Sequence, residues 1–307
     1  MASDPFDRRH APPIGRPETL APGLRVVTAP NAGPMTFTGT RSYILGEGEV
    51  AVIDPGPDDP RHLAALATAL TGEHVTAVLV THAHRDHSAG ARAFAARVGA
   101  PLLAHAGRPP ATARPGGIGG GEGIDAGFRP DRALADGETL AGPGWTLTAL
   151  ATPGHTADHL SFAWAEGKAL FSGDHVMGWA TTLISPPDGD LATFRASLAR
   201  LLARAEATFY PGHGAPVADP QAVMAHVLAH RAARERAILD ALTRAAETPA
   251  GLVARIYLGV DPALHAAAAR NVLAHLLDLR ARSLVTVDGP PASGAWRLAG
   301  APQSPSE

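Results

Sequence analysis

The sequence contains no cysteine among its 307 residues. This absence excludes a disulfide framework, a thiolate metal site and a cysteine nucleophile, so any metal must be bound through nitrogen and oxygen ligands. No apolar run approaches the roughly 18 residues that a membrane-spanning helix requires. Residues 1–10 are charged and lack the apolar core of a secretory signal. We therefore expect a cytoplasmic protein that does not enter a membrane.

A large excess of either charge is also missing. The chain has 26 Lys and Arg against 29 Asp and Glu, a net charge of −3. This balance does not suggest a protein that coats nucleic acid or an anionic membrane. Apolar residues make up 45% of the chain, and its length suits one large domain followed by a small one. The composition gives no indication of the oligomeric state.

What the sequence does have is a dense cluster of metal-ligand side chains in residues 81–90. His82, His84, Asp86 and His87 lie within six consecutive positions. Neutral imidazoles and carboxylates suit Zn(II), Fe(II) or Mn(II), and this density is hard to explain by packing. The cluster therefore predicts a metal site.

The cluster is expected in a short loop at the end of a buried strand. Residues 75–80 form an apolar, β-branched run of strand length. Ser88 is a good N-cap for an Ala-rich helix that continues to residue 98. In α/β folds, ligands and catalytic groups lie at the C-terminal ends of such strands. The cluster is thus predicted at a position where catalytic and ligand-binding residues are common.

Three later strand ends each carry one more candidate ligand. Predicted strands at 145–150, 168–171 and 208–210 lead into these residues. The complete inventory suits two metal ions, with the ligands divided as follows: His82, His84 and His155 for the first ion, Asp86, His87 and His213 for the second, and Asp174 as a bridge between them.

Four further polar residues are candidates for supporting or substrate-binding roles. Asp54 ends a core strand and could form a turn or orient a metal-bound histidine. Arg85 could meet a substrate carboxylate or phosphate, or remain solvated. His159 could line the pocket or donate a hydrogen bond to a metal ligand. His175 is expected to support Asp174 or to pack in the protein interior.

The chain after residue 220 predicts three helices and a β-hairpin. Residues 221–246 form one long helical pattern, Thr248 caps a second helix, and Asp261 caps a third that ends near residue 282. Two short strand patterns follow, which completes the outline of a winged helix. The glycine-rich stretch at 107–130 predicts a mobile loop or, alternatively, a lid. We expect four segments: a weakly ordered tail at 1–22, a catalytic domain at 23–220, a winged-helix-like domain at 221–300 and a tail at 301–307.

The ligand pattern resembles the metallo-β-lactamase superfamily over roughly residues 23–215, and every ligand position of its two-metal members is filled. The resemblance implies an α/β fold, the αββα sandwich, here followed by a small winged-helix domain. It also implies two divalent metal ions, zinc foremost with iron or manganese as alternatives, and a bridging hydroxide as nucleophile. Asp86 and Asp174 take the catalytic positions in this comparison.

Branches of that superfamily are distinguished by Asp174 and the C-terminal tail. True β-lactamases of this superfamily lack the bridging Asp and often carry Cys there, so antibiotic hydrolysis is not expected. Only 38 residues separate Asp174 from His213, too few for the extra domain of β-CASP nucleases. Residues 81–87 and 152–159 are similar to glyoxalase II and to the β-lactamase-like endoribonucleases. The tail looks like the winged helix of those endoribonucleases, and the same architecture resembles acyl-carrier-protein thioesterases.

Three functions stay open on this basis. We favour a metal-dependent hydrolase of a small or carrier-bound ester or thioester. The alternative is an endoribonuclease that cuts single-stranded RNA, and a third hypothesis is a regulator whose winged helix binds DNA. Residues 222–307 hold nine Arg against seven acidic residues, a weak charge for reading nucleic acid.

Overall fold

A computed structural model describes residues 4–106 and 123–300. Most of the predicted loop or lid, at 107–122, and the predicted tail at 301–307 lie outside the described residues. The described chain forms two packed β-sheets with helices on their outer faces, followed by a small helical domain. The αββα sandwich and the winged-helix addition are therefore confirmed.

The first sheet contains seven strands in chain order. Strands β1 to β4 are antiparallel, and β4 to β7 are parallel. Helices α1 (Pro60–Ala69) and α3 (Ala91–Val98) connect the parallel strands, because a parallel crossover needs such a connection. The strands are β1 (Pro17–Ala21), β2 (Leu24–Thr28), β3 (Arg41–Glu47), β4 (Glu49–Ile53), β5 (His74–Leu79), β6 (Leu102–His105) and β7 (Arg132–Leu134).

The second sheet contains five strands in the order β12-β11-β10-β9-β8. Its strands are antiparallel except for the parallel pair β11 and β12, which α4 (Leu191–Leu202) connects. The strands are β8 (Thr139–Gly142), β9 (Trp145–Ala151), β10 (Leu160–Trp164), β11 (Ala169–Gly173) and β12 (Thr208–Pro211).

Side chains that point alternately to the two faces of each strand form the layers of the sandwich. In β4, Ala51 and Ile53 join the core between the sheets, while Val50 and Val52 face the outer core with α1 and α3. Successive strand side chains point to opposite faces, so a strand covered on both sides is apolar throughout. The sandwich thereby holds its strand ends, where the predicted ligands lie, on a rigid frame.

The C-terminal domain has its own apolar core around Trp296, which is fully buried. Thr248 accepts a hydrogen bond from the Gly251 N–H at 3.1 Å, so it caps a helix as predicted. Its elements are α5 (Pro220–Leu242), α6 (Pro249–Ile256), a 3-10 turn (Pro262–Leu264), α7 (His265–Ala281), β13 (Val285–Asp288) and β14 (Ala295–Leu298).

Helix α5 belongs to two cores at once. Its first turns pack Val223, Met224 and Val227 against the sandwich, and its last turns pack Ile238 and Leu242 into the C-terminal core. The predicted division near residue 220 therefore separates chain segments, whereas the packing is continuous. None of the helices in residues 4–106 and 123–300 combines the length and apolar character needed to cross a bilayer.

Two local expectations are wrong. Residues 17–21, predicted as part of a weakly ordered tail, form edge strand β1, because they pair along β2. Ser88 does not cap the following helix. It ends a short helix, α2 (Arg85–Ser88), and its hydroxyl donates to the His84 carbonyl at 3.0 Å. The chain turns into helix four residues earlier than predicted, which places Asp86 and His87 on a helical turn.

Candidate metal centre

All seven predicted ligands lie together at the C-terminal ends of strands from both sheets. Loop and helix residues after β5 supply four of them, and the ends of β9, β11 and β12 supply one each. They form two groups, and within each group the donor atoms lie within 4.8 Å of one another. The first group is His82, His84, His155 and Asp174, and the second is Asp86, His87 and His213.

The first group brings three ring nitrogens to one point. His84 Nδ1 lies 2.9 Å from His82 Nε2 and 3.0 Å from His155 Nε2. His155 Nδ1 is 2.9 Å from the Leu183 carbonyl, to which it donates, so its Nε2 is left as a ligand. Converging unprotonated nitrogens of this kind are the donor set of a tetrahedral zinc site. The group therefore fits a divalent metal ion.

The second group combines one carboxylate with two imidazoles. Asp86 Oδ2 lies 3.1 Å from His213 Nε2 and 3.3 Å from His87 Nε2. Each ring uses its other nitrogen elsewhere: His87 Nδ1 bonds Asp54 at 2.8 Å, and His213 Nδ1 bonds the Gly39 carbonyl at 3.3 Å. These bonds fix the tautomer that leaves Nε2 available, so this group also fits a metal ion.

The Asp174 carboxylate spans the two groups. Its Oδ2 is 3.7 Å from His155 Nε2 in the first group and 3.5 Å from His213 Nε2 in the second. Its Oδ1 is 3.5 Å from His87 Nε2. A carboxylate in this position could contact two metal ions with its two oxygens.

Burial and charge act in opposite directions on the protonation of these groups. Burial lowers the pKa of His84 to about 3, with a further contribution from His155. Burial raises the pKa of Asp174, but the charges of His213 and His87 outweigh it and hold that pKa well below its usual range. Burial also lowers the pKa of His213, and the Asp174 carboxylate overrides it, so the pKa rises to about 9. The carboxylates thus attract positive charge of the kind that a metal ion supplies.

Two of the supporting candidates stand directly behind the ligands. Asp54, with a backbone φ of 51°, accepts hydrogen bonds at 2.7 Å from both the backbone N–H and the hydroxyl of Thr81 while it binds His87. His159 Nε2 accepts the backbone N–H of Asp174 at 3.1 Å. Both residues therefore orient predicted ligands, and His159 is not among the residues that line the adjoining cavity.

The side chains of the other two candidates make no hydrogen bond to a predicted ligand within the described residues. His175 is buried, and its ring packs 4.5 Å from the ring of Phe194, where burial lowers its pKa to about 3. Arg85 is exposed, and its Nε contacts the Ile124 carbonyl at 3.4 Å. The Arg85 side chain is not among the described residues that line the cavity.

A cavity of about 500 Å³ opens over both ligand groups. The segment after Asp174 contributes part of the lining, and the C-terminal domain contributes residues of α7 and the loop before it. Most of the lining is apolar, as is common in small-molecule sites. The side chains beyond the ligands include Met35, Met177, Trp179, Leu183, Tyr257, Val260, Leu264, Arg270 and Asn271.

Sequence reasoning missed a buried connection between the two domains. Arg231 on α5 donates one hydrogen bond to the Thr182 carbonyl and another to Asn271 Oδ1 at 2.7 Å. The Thr182 hydroxyl in turn donates to the Asp174 carbonyl at 2.7 Å. No pattern in the sequence distinguishes Arg231 from the other arginines of its helix, because its role depends on tertiary contacts.

Sequence profiles of known families match both parts of the chain. The profile described as "Metallo-beta-lactamase superfamily" matches residues 35–213. The profile described as "Beta-lactamase associated winged helix domain" matches residues 248–296.

Individual proteins give the same result. The chain is 32% identical over 262 residues to "Lactamase-like protein vrtG" of Penicillium aethiopicum, which covers 83% of this chain and 77% of that protein. It is 31% identical over 245 residues to "Atrochrysone carboxyl ACP thioesterase" of Aspergillus fumigatus, covering 76% of this chain and 69% of that protein. A crystal structure of a metallo-beta-lactamase family protein from Thermus thermophilus matches with a TM-score of 0.75 and 27% identity. That match covers 91% of this chain and 100% of the other.

Proposed function

Because the chain belongs to the metallo-beta-lactamase superfamily and is a metal-dependent hydrolase, we propose that it is a two-metal thioesterase. Its substrate in this proposal is an acyl thioester of a small thiol or of a carrier arm. The ligand atoms of both groups are nitrogen and oxygen, so zinc is the first candidate, with iron or manganese as alternatives.

The observation that carries the proposal is that residues of both ligand groups line a largely apolar cavity of about 500 Å³. Such a cavity suits an acyl chain whose thioester carbonyl lies at the metal ligands. Two relatives at 31% and 34% identity are named as thioesterases, which supports the same class of substrate. Ester hydrolysis, which the sequence also suggested, follows the same reaction, but the names of those two relatives mention only thioesters.

In the proposed mechanism, the protein holds the reacting groups in place. Bound divalent ions would polarise the thioester carbonyl and lower the pKa of a coordinated water. Asp86 and Asp174 supply the carboxylates of the centre. Asp54 fixes the ring of His87, and His159 fixes the backbone of Asp174. The apolar walls exclude bulk water, which strengthens the electrostatic interactions inside.

The C-terminal domain, in this proposal, shapes the substrate cavity. Helix α7 has buried Leu273, Leu276 and Leu279 on one side and contributes Arg270 and Asn271 to the cavity. A recognition helix of a DNA-binding winged helix must present its face to the major groove. Because α7 is covered by these contacts, its position supports a substrate role over the regulator hypothesis.

The test is hydrolysis of a thioester panel by metal-loaded protein, with metal content measured alongside. We expect His84→Ala and Asp174→Ala each to reduce turnover by at least roughly hundredfold while the circular dichroism spectrum is retained. The control is His74→Ala, which alters an exposed residue at the start of β5. Full thioester turnover by either ligand variant would contradict the two-metal centre.

Labelled single-stranded RNA tests the alternative in the same experiment. RNA cleavage by the wild-type protein that disappears in His84→Ala, combined with inactivity on every thioester, would replace the thioesterase proposal with the endoribonuclease. RNA cleavage that persists in His84→Ala indicates a contaminating nuclease.

A further inference from the structure

The cavity wall contributed by the C-terminal domain presents hydrogen-bond donors. Three residues of this wall carry side-chain donors and line the cavity, and we call them the donor wall: Tyr257, Arg270 and Asn271. The Arg270 guanidinium makes no hydrogen bond or ion pair within residues 4–106 and 123–300, and its Nε is buried. The Tyr257 hydroxyl is likewise buried without a partner in the described chain. Unpaired buried donors are costly, so a ligand that accepts from them gains affinity.

Asn271 is oriented by the residue behind it. Arg231 can only donate, so the atom that receives its 2.7 Å hydrogen bond is the Asn271 carbonyl oxygen. The amide NH₂ of Asn271 therefore points away from Arg231 and remains available as a donor. Asn271 is itself a cavity-lining residue, so its free donor adds to those of Arg270 and Tyr257.

The charge behind the donor wall is positive. Arg231 is 1% exposed, and Arg234 lies with its guanidinium carbon 3.8 Å from the centre of the Tyr257 ring. Neither arginine forms an ion pair with an acidic residue in the described part of the chain. Outside the metal ligands, the acidic residue among the described cavity lining is Asp188, which accepts a hydrogen bond from the Ala157 N–H at 3.4 Å. A buried positive charge without a counter-ion is unusual.

We propose that the donor wall binds an anionic group of the substrate, either a carboxylate on the acyl chain or a phosphate on the thiol arm. This inference rests on the proposed thioesterase function. Guanidinium groups recognise both anions through charge-assisted hydrogen bonds, and each oxygen of either anion accepts them. The wall thereby selects charged thioesters over neutral ones, while the metal centre that lines the same cavity acts on the carbonyl.

The test compares matched pairs of substrates. The first pair is adipoyl-N-acetylcysteamine and its methyl ester, which differ in the acyl carboxylate. The second pair is hexanoyl-phosphopantetheine and hexanoyl-pantetheine, which differ in the phosphate. For the pair with the recognised anion, we expect the wild-type kcat/KM ratio of charged to neutral substrate to be roughly tenfold to hundredfold. In Arg270→Met, this ratio falls to about one because the guanidinium is lost.

Two variants separate recognition from general damage. Arg280→Met removes an exposed arginine of the same helix and leaves the ratio at its wild-type value. Arg270→Lys keeps the charge and retains part of the ratio. Thioester hydrolysis with both ratios near one in the wild type would overturn the anion site and leave the thioesterase intact. A high ratio that survives in Arg270→Met would also overturn it, whereas inactivity on all four thioesters would overturn the proposed function.

Discussion

Replacing Arg231 by Met should separate stability from activity. The substitution removes a buried guanidinium whose hydrogen bonds join the C-terminal domain to the segment that carries Asp174. Methionine keeps an unbranched apolar stem of similar length, so the packing against Phe194, 5.5 Å from the guanidinium carbon, is largely retained. The change is therefore mainly the loss of one charge and two hydrogen bonds.

Two opposing contributions of similar size determine the effect on unfolding. Burial lowers the pKa of Arg231 to about 10 from its ordinary 12.5, which corresponds to roughly 3 kcal/mol of destabilisation by the desolvated charge. Its removal leaves the Thr182 carbonyl and Asn271 Oδ1 without their donor, at about 1–3 kcal/mol each. The two acceptors together cost about 2–6 kcal/mol against the roughly 3 kcal/mol that is relieved, so we expect the free energy of unfolding to change by no more than about 3 kcal/mol.

Activity should respond differently. With Arg231 gone, the carbonyl of Thr182 and the amide of Asn271 are no longer fixed. The Thr182 hydroxyl holds the Asp174 carbonyl, and His159 holds the Asp174 N–H. We expect kcat/KM to fall by roughly tenfold at saturating metal. Urea denaturation and thioester kinetics measure the two quantities, with Arg236→Met, an exposed site on the same helix, as control. A decrease of more than about 4 kcal/mol in the free energy of unfolding, or an unchanged kcat/KM, would refute the reasoning.

Two further predictions concern other parts of the molecule. In Gly212→Ala, the added Cβ would lie 2.4 Å from Asp174 Oδ1, so we expect loss of bound metal and of activity in a folded protein; full metal content would count against the assigned geometry. His62 is buried, bonded to Ser42 at 2.8 Å, and burial lowers its pKa to about 4. Since the unfolded chain takes up this proton near pH 6.5, stability falls as pH decreases below 6.5. In urea denaturation, the free energy of unfolding of His62→Gln should therefore fall by roughly 2 kcal/mol less than that of the wild type between pH 7.5 and about pH 5. The His74→Gln control should show the wild-type decrease.

The sequence could predict the ligand constellation because each ligand follows a strand that is recognisable on its own. The loop at 81–90 and the residues His155, Asp174 and His213 all come at the ends of apolar runs that form strands as expected. Parallel and sandwiched strands bring their ends to one edge, so local patterns were enough to place these residues together.

Features that depend on tertiary pairing could not be predicted in this way. Strand β1 has a polar, Pro-containing sequence, and it is extended because β2 offers an unpaired edge. The short strands β7 and β8 carry no strong alternation and were also missed. The donor wall could not be predicted either, because no pattern shows that Arg270 faces a cavity more than fifty residues after the last predicted ligand.

The distribution of the predicted ligands over both sheets bears on when the proposed metal centre could be loaded during synthesis. His87 and His213 are 126 positions apart in the chain, yet their Nε2 atoms lie 3.3 Å from each other. A nascent chain that has emerged from the ribosome only as far as the first sheet offers His82, His84, Asp86 and His87 but neither complete group. If the proposed centre binds metal, loading would therefore come late, after β12 has been added to the second sheet, and a ribosome-bound intermediate would compete poorly for the ions with finished copies of the same protein.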